Sequence, residues 1–131
     1  MKKKVLCVGN CDADHARLVA VLTDHFSVDV LRANHGDAAT EAVAAHDISL
    51  VLVNREFFHD GASGTEWIRR LCSQPGAPPA MLISNFESAQ AEAVGAGAVP
   101  GFGKAGLTSA ATHARLAEFL PPAADAHEKS A

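Results

Sequence analysis

The side chains that could do chemistry in this sequence follow apolar runs. The longest run, residues 48–53, ends at Asn54, and a shorter run, residues 5–8, ends at Gly9 and Asn10. In an open parallel α/β sheet, binding and catalytic groups gather where the strands end, at their carboxyl edge. Asn54 therefore lies where a reactive side chain is expected, but it carries an uncharged carboxamide.

Acidic and imidazole groups near the same strand ends are a second source of chemistry. They are Asp12, Asp14 and His15 after the first strand, and His59 and Asp60 after the third. If these groups converge, a divalent metal ion could bind among them. No metal-ligand spacing motif is present, so helix-capping aspartates and surface histidines are the simpler interpretation.

The three cysteines, Cys7, Cys11 and Cys72, form no Cys-x-x-Cys motif. Their odd number argues against a disulfide framework, and their spacing argues against a zinc site. Reduced thiols in the cytoplasm are the simplest interpretation. Cys11, at a strand end, keeps open the alternative of a small α/β enzyme, although no base for this thiol is evident.

Composition limits the class of protein. The 131 residues carry a net charge of −4, which argues against a broad nucleic-acid surface, and the only basic run is Lys2-Lys3-Lys4. No apolar stretch approaches the roughly 20 residues that span a bilayer, and the N-terminus does not resemble a signal peptide. We therefore expect a soluble cytoplasmic protein with no membrane contact and no nucleic-acid partner.

The elements that must position these groups alternate between strand and helix. The predicted strands cover residues 5–8, 28–31, 48–54, 80–84 and 98–102. Helical patterns fall between them, with Asn10 or Asp12 capping the first helix, and the last helix covers residues 107–120. This alternation indicates βαβ units around a parallel sheet. We predict one domain over residues 1–120, followed by a flexible tail or linker at 121–131 that begins with two prolines.

A glycine-rich segment, Gly95-Ala96-Gly97 through Gly101, superficially resembles a dinucleotide-binding loop. Such a loop follows the first strand and opens a helix, with the spacing Gly-x-Gly-x-x-Gly. Here the glycines follow the fourth helix and precede a strand, with a different spacing. A helix stop leading into the fifth strand is the better interpretation, and we predict no cofactor.

The order of these landmarks resembles the receiver domain of bacterial two-component response regulators, from residue 5 to about residue 120. The matching segments are Val5 to Asn10, Asn34 to Ala38, Leu50 to Asn54, Gly64 to Trp67, Met81 to Ser84, Ala96 to Ala98 and Gly101 to Lys104. The resemblance implies a three-layer α/β sandwich with a flavodoxin-like, five-stranded parallel sheet in the order 2-1-3-4-5.

The sequence departs from this family at the positions that carry its chemistry. Asn54 occupies the phosphoacceptor position, and Gly9 and Asn10 occupy the positions of the acidic pair that holds magnesium. A carboxamide is a poor nucleophile, and magnesium prefers carboxylate oxygens. Three such changes remove phosphoryl transfer and metal binding together. Ala105 also replaces the proline that usually follows the family's lysine.

Ser84 and Lys104 match the residues that sense the phosphoryl group in the family. With no aspartate cluster to neutralise, we expect Ser84 to satisfy backbone groups and Lys104 to pair with a nearby carboxylate, either Asp12, Asp14, Glu56 or Asp60. We also expect the Asn54 amide oxygen to accept a hydrogen bond from Lys104.

The predicted function is that of an atypical receiver, not an enzyme, which signals by protein–protein contact without phosphorylation. A protein partner or a second copy would use the face of the fourth helix, fifth strand and fifth helix. The candidate contact residues are Ser88, Gln90, Glu92 and Thr108. We expect Phe57 and Phe58, in the loop after the third strand, to pack back over the strand end; if they are exposed, they are further candidates for a partner contact. The alternative is a flavodoxin-like domain that binds a small molecule, an anion or a metal through Asp12, Asp14, His59 and Lys104.

Overall fold

A computed structural model describes residues 2–123 as a sheet covered by helices on both faces. The strands are β1 (Lys3–Val8), β2 (Val28–Ala33), β3 (Ile48–Asn54), β4 (Ala80–Ile83) and β5 (Val99–Phe102). The helices are α1 (Asp12–His25), α2 (Gly36–Ala45), α3 (Gly64–Cys72), α4 (Glu87–Gly95) and α5 (Ala110–Ala117), with a 3₁₀ turn at Lys104–Gly106. All neighbouring strands pair in parallel in the order β2-β1-β3-β4-β5, which confirms the predicted fold.

Two apolar layers hold the helices to the sheet. Alternate residues of the central strands face opposite sides, so Leu6 and Val53 pack under α2, α3 and α4. Val5 and Leu52 pack under α1 and α5 on the other side. Residues Leu50 to Val53 are fully buried, as expected for a central parallel strand covered on both faces.

Two predicted helix starts are wrong, and α5 ends at Ala117 instead of residue 120. Cys11, rather than Asn10 or Asp12, precedes α1, and it makes no side-chain capping bond. At the other end of the chain, α5 begins at Ala110 instead of residue 107, because Ser109 Oγ accepts a hydrogen bond from Thr112 N at 3.2 Å. The preceding residues form a turn, closed by Thr112 Oγ1 donating to Gly106 O at 2.7 Å.

Residues 121–123, which follow the predicted domain boundary at residue 120, contact the end of α1. Ser27 N donates to Pro121 O at 2.9 Å, and Ala123 N donates to His25 O at 3.1 Å. Pro122 forms an isolated antiparallel bridge with Phe26. Residues 121–123 are therefore attached to the end of α1, and the rest of the predicted tail, 124–131, lies outside the described residues. No helix within residues 2–123 is long and apolar enough to cross a membrane.

Candidate functional site

Asn54 lies at the carboxyl end of β3, between the ends of β1 and β4. Its side-chain Nδ2 donates a hydrogen bond to the backbone oxygen of Glu56 at 2.6 Å. The expected bond from Lys104 to Asn54 is wrong for the described part of the chain, since Lys104 instead pairs with Asp14. The carboxamide therefore stabilises the turn that leaves β3 and does not join a charged cluster.

Phe57 fills the space in front of Gly9. The Phe57 side chain is 2% exposed, and a Cβ added to Gly9 would overlap its ring, with the ring Cγ only 2.9 Å away. Gly9 also has a φ of +79°, a conformation that other residues adopt at a cost. Gly9 matches the first position of the acidic pair in receiver domains. The Phe57 ring thus fills the space that a carboxylate side chain at this position would need.

The loop after β3 holds that ring in place. Glu56 and Ser63 form an antiparallel bridge, and Phe57 N donates to Ala62 O at 2.9 Å. Phe58 N donates to Gly9 O at 2.9 Å, which fastens the loop directly to the end of β1. Phe58 itself points outward and is 66% exposed, with its ring 5.3 Å from that of His59. The two adjacent phenylalanines therefore have opposite roles.

Asn10 is buried at the second position of the acidic pair. It is 2% exposed, and neither side-chain amide atom has a hydrogen-bond partner within residues 2–123. Its backbone oxygen accepts a hydrogen bond from Arg32 Nη2 at 3.1 Å. Asn10 precedes the N-cap residue Cys11, and its buried side chain makes no capping bond to α1.

Lys104 and Asp14 form an ion pair across the carboxyl edge. The distance from Lys104 Nζ to Asp14 Oδ2 is 2.5 Å, which agrees with one of the predicted pairings. The hydrogen bond from Lys104 lowers the pKa of the Asp14 carboxyl, against the opposing effect of partial burial. The lysine charge is therefore already compensated within the chain.

Because of this ion pair, we expect the free energy of unfolding to depend on pH in the acid range. Because the folded-state pKa of Asp14 lies below its usual value of 3.8, the pair stabilises the fold above about pH 4 and loses this effect as the pH falls further. Since both side chains are partly exposed, we expect Lys104→Gln to cost at most about 1 kcal/mol at neutral pH. Urea melts of the wild type, Lys104→Gln, Asp14→Asn and the double variant measure the coupling. If the difference in the free energy of unfolding between wild type and Lys104→Gln does not change from pH 7 to the lowest pH measured, the predicted pH dependence of the ion pair is wrong.

The candidate metal ligands do not form a cluster within the described residues. Within residues 2–123, no group of three or more His, Cys, Asp or Glu side chains is placed to hold a metal ion. Asp12 pairs with Arg32 at 2.7 Å, and this pair lowers the pKa of the aspartate. Burial and the Arg32 charge lower the pKa of His15, which favours its neutral form. Asp12 and Asp14 thus each have a cation from this chain.

Ser84 makes local contacts after the end of β4, one residue beyond the strand. Its Oγ accepts a hydrogen bond from Phe86 N at 3.2 Å, and its backbone N donates to Phe102 O at 2.9 Å. These are the backbone contacts that the local interpretation of Ser84 predicts. Ser84 is buried, and it connects β4 to β5 and to the start of α4.

The predicted partner residues fall on different surfaces. Ser88 and Glu92 are exposed but line a cleft with α3, and Thr108 is exposed before α5. Gln90 is half-buried and hydrogen-bonded to the sheet, and its assignment to a contact surface stays a prediction. The exposed apolar groups that the sequence interpretation missed near α4 are Phe86, 61% exposed, and Val94, 46% exposed. An exposed residue inside an alanine-rich helical pattern gives no sequence signal.

Comparison with known proteins supports the fold. No family model and no curated protein matches the sequence. Among solved structures, the receiver domain of NtrX from Brucella abortus is similar, with 20% identity and a TM-score of 0.71 over 87% of this chain and 94% of that domain. Against the larger NtrX structure, the TM-score is 0.74 at 20% identity, covering 90% of this chain but only 26% of that protein.

A third similar structure provides a chemical contrast. It is a response regulator from Burkholderia pseudomallei described with a phosphorylated aspartic acid, a calcium ion and citrate. The identity is 18%, the TM-score is 0.70, and the match covers 90% of this chain and 66% of that one. The chain therefore has the fold of response-regulator receiver domains, and its own site has Asn54 at the end of β3.

Proposed function

We propose that this chain is a receiver-fold module that takes part in signal transduction by protein–protein contact, without phosphorylation at Asn54. The receiver fold supports a role in two-component signalling. Phosphorylation independence is supported by Gly9, Asn10 and Asn54, which stand at three positions where receiver domains have carboxylates. The buried Phe57 ring, which packs against Gly9, supports it further. The module needs no cofactor and is not an enzyme.

The chemistry of phosphoryl transfer explains why the three positions matter together. An aspartate nucleophile forms the acyl phosphate, and a metal ion neutralises the charge that develops on the phosphoryl oxygens. Asn54 supplies no such nucleophile, and Gly9 and Asn10 supply no carboxylate to the metal. Lys104, which could otherwise stabilise a phosphoryl group, is paired with Asp14.

The exposed aromatic groups at the carboxyl edge are the proposed contact surface. Phe58 is 66% exposed at the tip of the loop after β3. Phe86, 61% exposed, lies at the start of α4, with the Arg55 guanidinium carbon 5.5 Å from its ring centroid. Exposed aromatic side chains supply much of the binding energy in protein interfaces, particularly beside arginine. This surface extends toward Val94 and the α4–β5–α5 face, where a second copy could also bind.

The alternative function as a small-molecule, anion or metal-binding domain has less support. Its candidate ligands Asp12 and Asp14 pair with Arg32 and Lys104. A metal ion would have to displace these cations, and an anion would have to displace the carboxylates. Cys11, the candidate nucleophile of the enzyme alternative, lines the same shallow cleft as this Asp14–Lys104 pair. The three free thiols agree with the proposed cytoplasmic location.

Binding to a partner recovered from the native host tests this function. We expect the affinity of the wild-type chain to be the same with and without acetyl phosphate and magnesium, because Asn54 offers no acceptor. Phe58→Ala should weaken binding by at least about tenfold, and Glu41→Ala, at an exposed position of α2 outside the proposed surface, is the control. An affinity that changes with acetyl phosphate would contradict phosphorylation independence. Equal binding by both alanine variants would contradict the Phe58 surface.

A further inference from the structure

The Gln90 side chain of α4 crosses to the edge between β4 and β5. Its Nε2 lies 2.9 Å from Leu82 O, 3.1 Å from Ser84 O and 3.3 Å from Phe102 O. Its Oε1 accepts a hydrogen bond from Gly101 N at 3.2 Å. One side-chain amide, which has two donor hydrogens and one acceptor oxygen, thus contacts backbone groups of both strands and of the loop between β4 and α4.

The amide lies where regular strand pairing is interrupted. The register between β4 and β5 shifts between Met81 and Ile83. Backbone groups left without ladder partners at such a shift need other hydrogen bonds when they are buried. Gly101 provides the room, because a Cβ there would overlap Leu82 O and lie 3.1 Å from Gln90 Oε1. Gln90 therefore completes the hydrogen bonding of this part of the sheet.

Two further side chains restrain the same region. Asn85 Oδ1 accepts a hydrogen bond from Ala105 N at 3.1 Å, which joins the loop before α4 to the turn that contains Lys104. Arg115 of α5 donates to Gly101 O. Any displacement of α4 away from β5 would break the Gln90 bonds, and a displacement of the loop would also break the Asn85 bond.

We propose that Gln90 is a lock that holds α4 in one position against β4 and β5. It fixes the shape of the α4–β5–α5 face in the absence of any phosphoryl group. A ligand can shift a conformational equilibrium only if it distinguishes two accessible states. Because the Gln90 bonds stabilise the observed position of α4 relative to a displaced one, the lock keeps this face constitutively formed. The inference deepens the proposed function and rests on it for its biological meaning, but its test requires no partner.

The test compares Gln90→Leu with the wild type by NMR. Leucine keeps a side chain of similar size and removes the amide, and Glu92→Leu on the exposed side of α4 is the matched control. We expect relaxation dispersion to detect no microsecond-to-millisecond exchange around α4 in the wild type or the control. In Gln90→Leu, exchange should appear in residues 84–91 and 99–105, and the Gly101 amide should exchange with solvent at least about tenfold faster.

Two outcomes would overturn the lock. One is exchange of these segments in the wild type, because the face would then already sample two states. The other is a Gln90→Leu variant without localised exchange and with Gly101 protected as before. If Gln90→Leu does not fold, Gln90→Met, which keeps an unbranched side chain of similar length and also lacks the amide, is measured in its place with the same two readouts. Neither readout depends on whether Asn54 can be phosphorylated, so failure of the lock is distinguishable from failure of the proposed function.

Discussion

Phe57→Ala should lower the free energy of unfolding by about 3–5 kcal/mol, the usual cost of removing a buried phenylalanine ring. The ring is 2% exposed, and it packs against Gly9 and near Gly36, so its removal would leave a cavity beneath the loop after β3. The loss of apolar contacts and the remaining cavity both contribute to the cost. Urea denaturation, followed by the fluorescence of Trp67, measures the change.

Phe58→Ala is the control for this prediction. The two residues are neighbours of the same type in the same loop, but Phe58 is 66% exposed. We expect its replacement to change the free energy of unfolding by no more than about 0.5 kcal/mol. Equal destabilisation by the two variants would mean that Phe57 does not fill the space at the end of β1.

Gly9→Asp, which introduces one carboxylate of the family's acidic pair, should destabilise the domain by about 2–6 kcal/mol. Two effects add in this estimate. The backbone at Gly9 has a φ of +79°, and the new Cβ would overlap the Phe57 ring. The same denaturation experiment measures the cost.

A second glycine separates the two effects. Gly76 has a φ of +71°, and an added Cβ there would meet nothing within 4 Å. Gly76→Asp should therefore show only the backbone cost, about 1–3 kcal/mol. The Phe57→Ala change should also cost less in the Gly9→Asp background than in the wild type, because it relieves the overlap. Strict additivity of the two changes would contradict the proposed packing.

The fold could be predicted because its signals are local and repeated. Apolar runs such as residues 48–54 mark buried strands, and their alternation with helical patterns requires a parallel sheet. The resemblance to receiver domains then supplied the strand order that the structure has. Helix ends were less predictable. A single side-chain bond of Ser109 defines the start of α5, whereas Cys11 precedes α1 without any side-chain capping bond.

The site could be predicted in position but only partly in its contacts. Identity and order along the chain place Asn54, Ser84 and Lys104 at strand ends. They do not show that Phe57 turns inward while Phe58 turns outward, since both are aromatic and adjacent. The role of Gln90 was not predictable either, because a polar residue in a helical pattern is usually a surface residue. Its role depends on the register shift between β4 and β5.

The most direct test of phosphorylation independence is the intact mass of the wild-type chain after incubation with acetyl phosphate and magnesium. We expect an unmodified mass, because Asn54 is a poor nucleophile and Gly9 and Asn10 provide no carboxylate for the metal. A receiver domain with an intact aspartate site serves as the positive control for the reagents. A single phosphoryl adduct on the wild-type chain, removed by hydroxylamine, would show an acyl phosphate and would contradict phosphorylation independence.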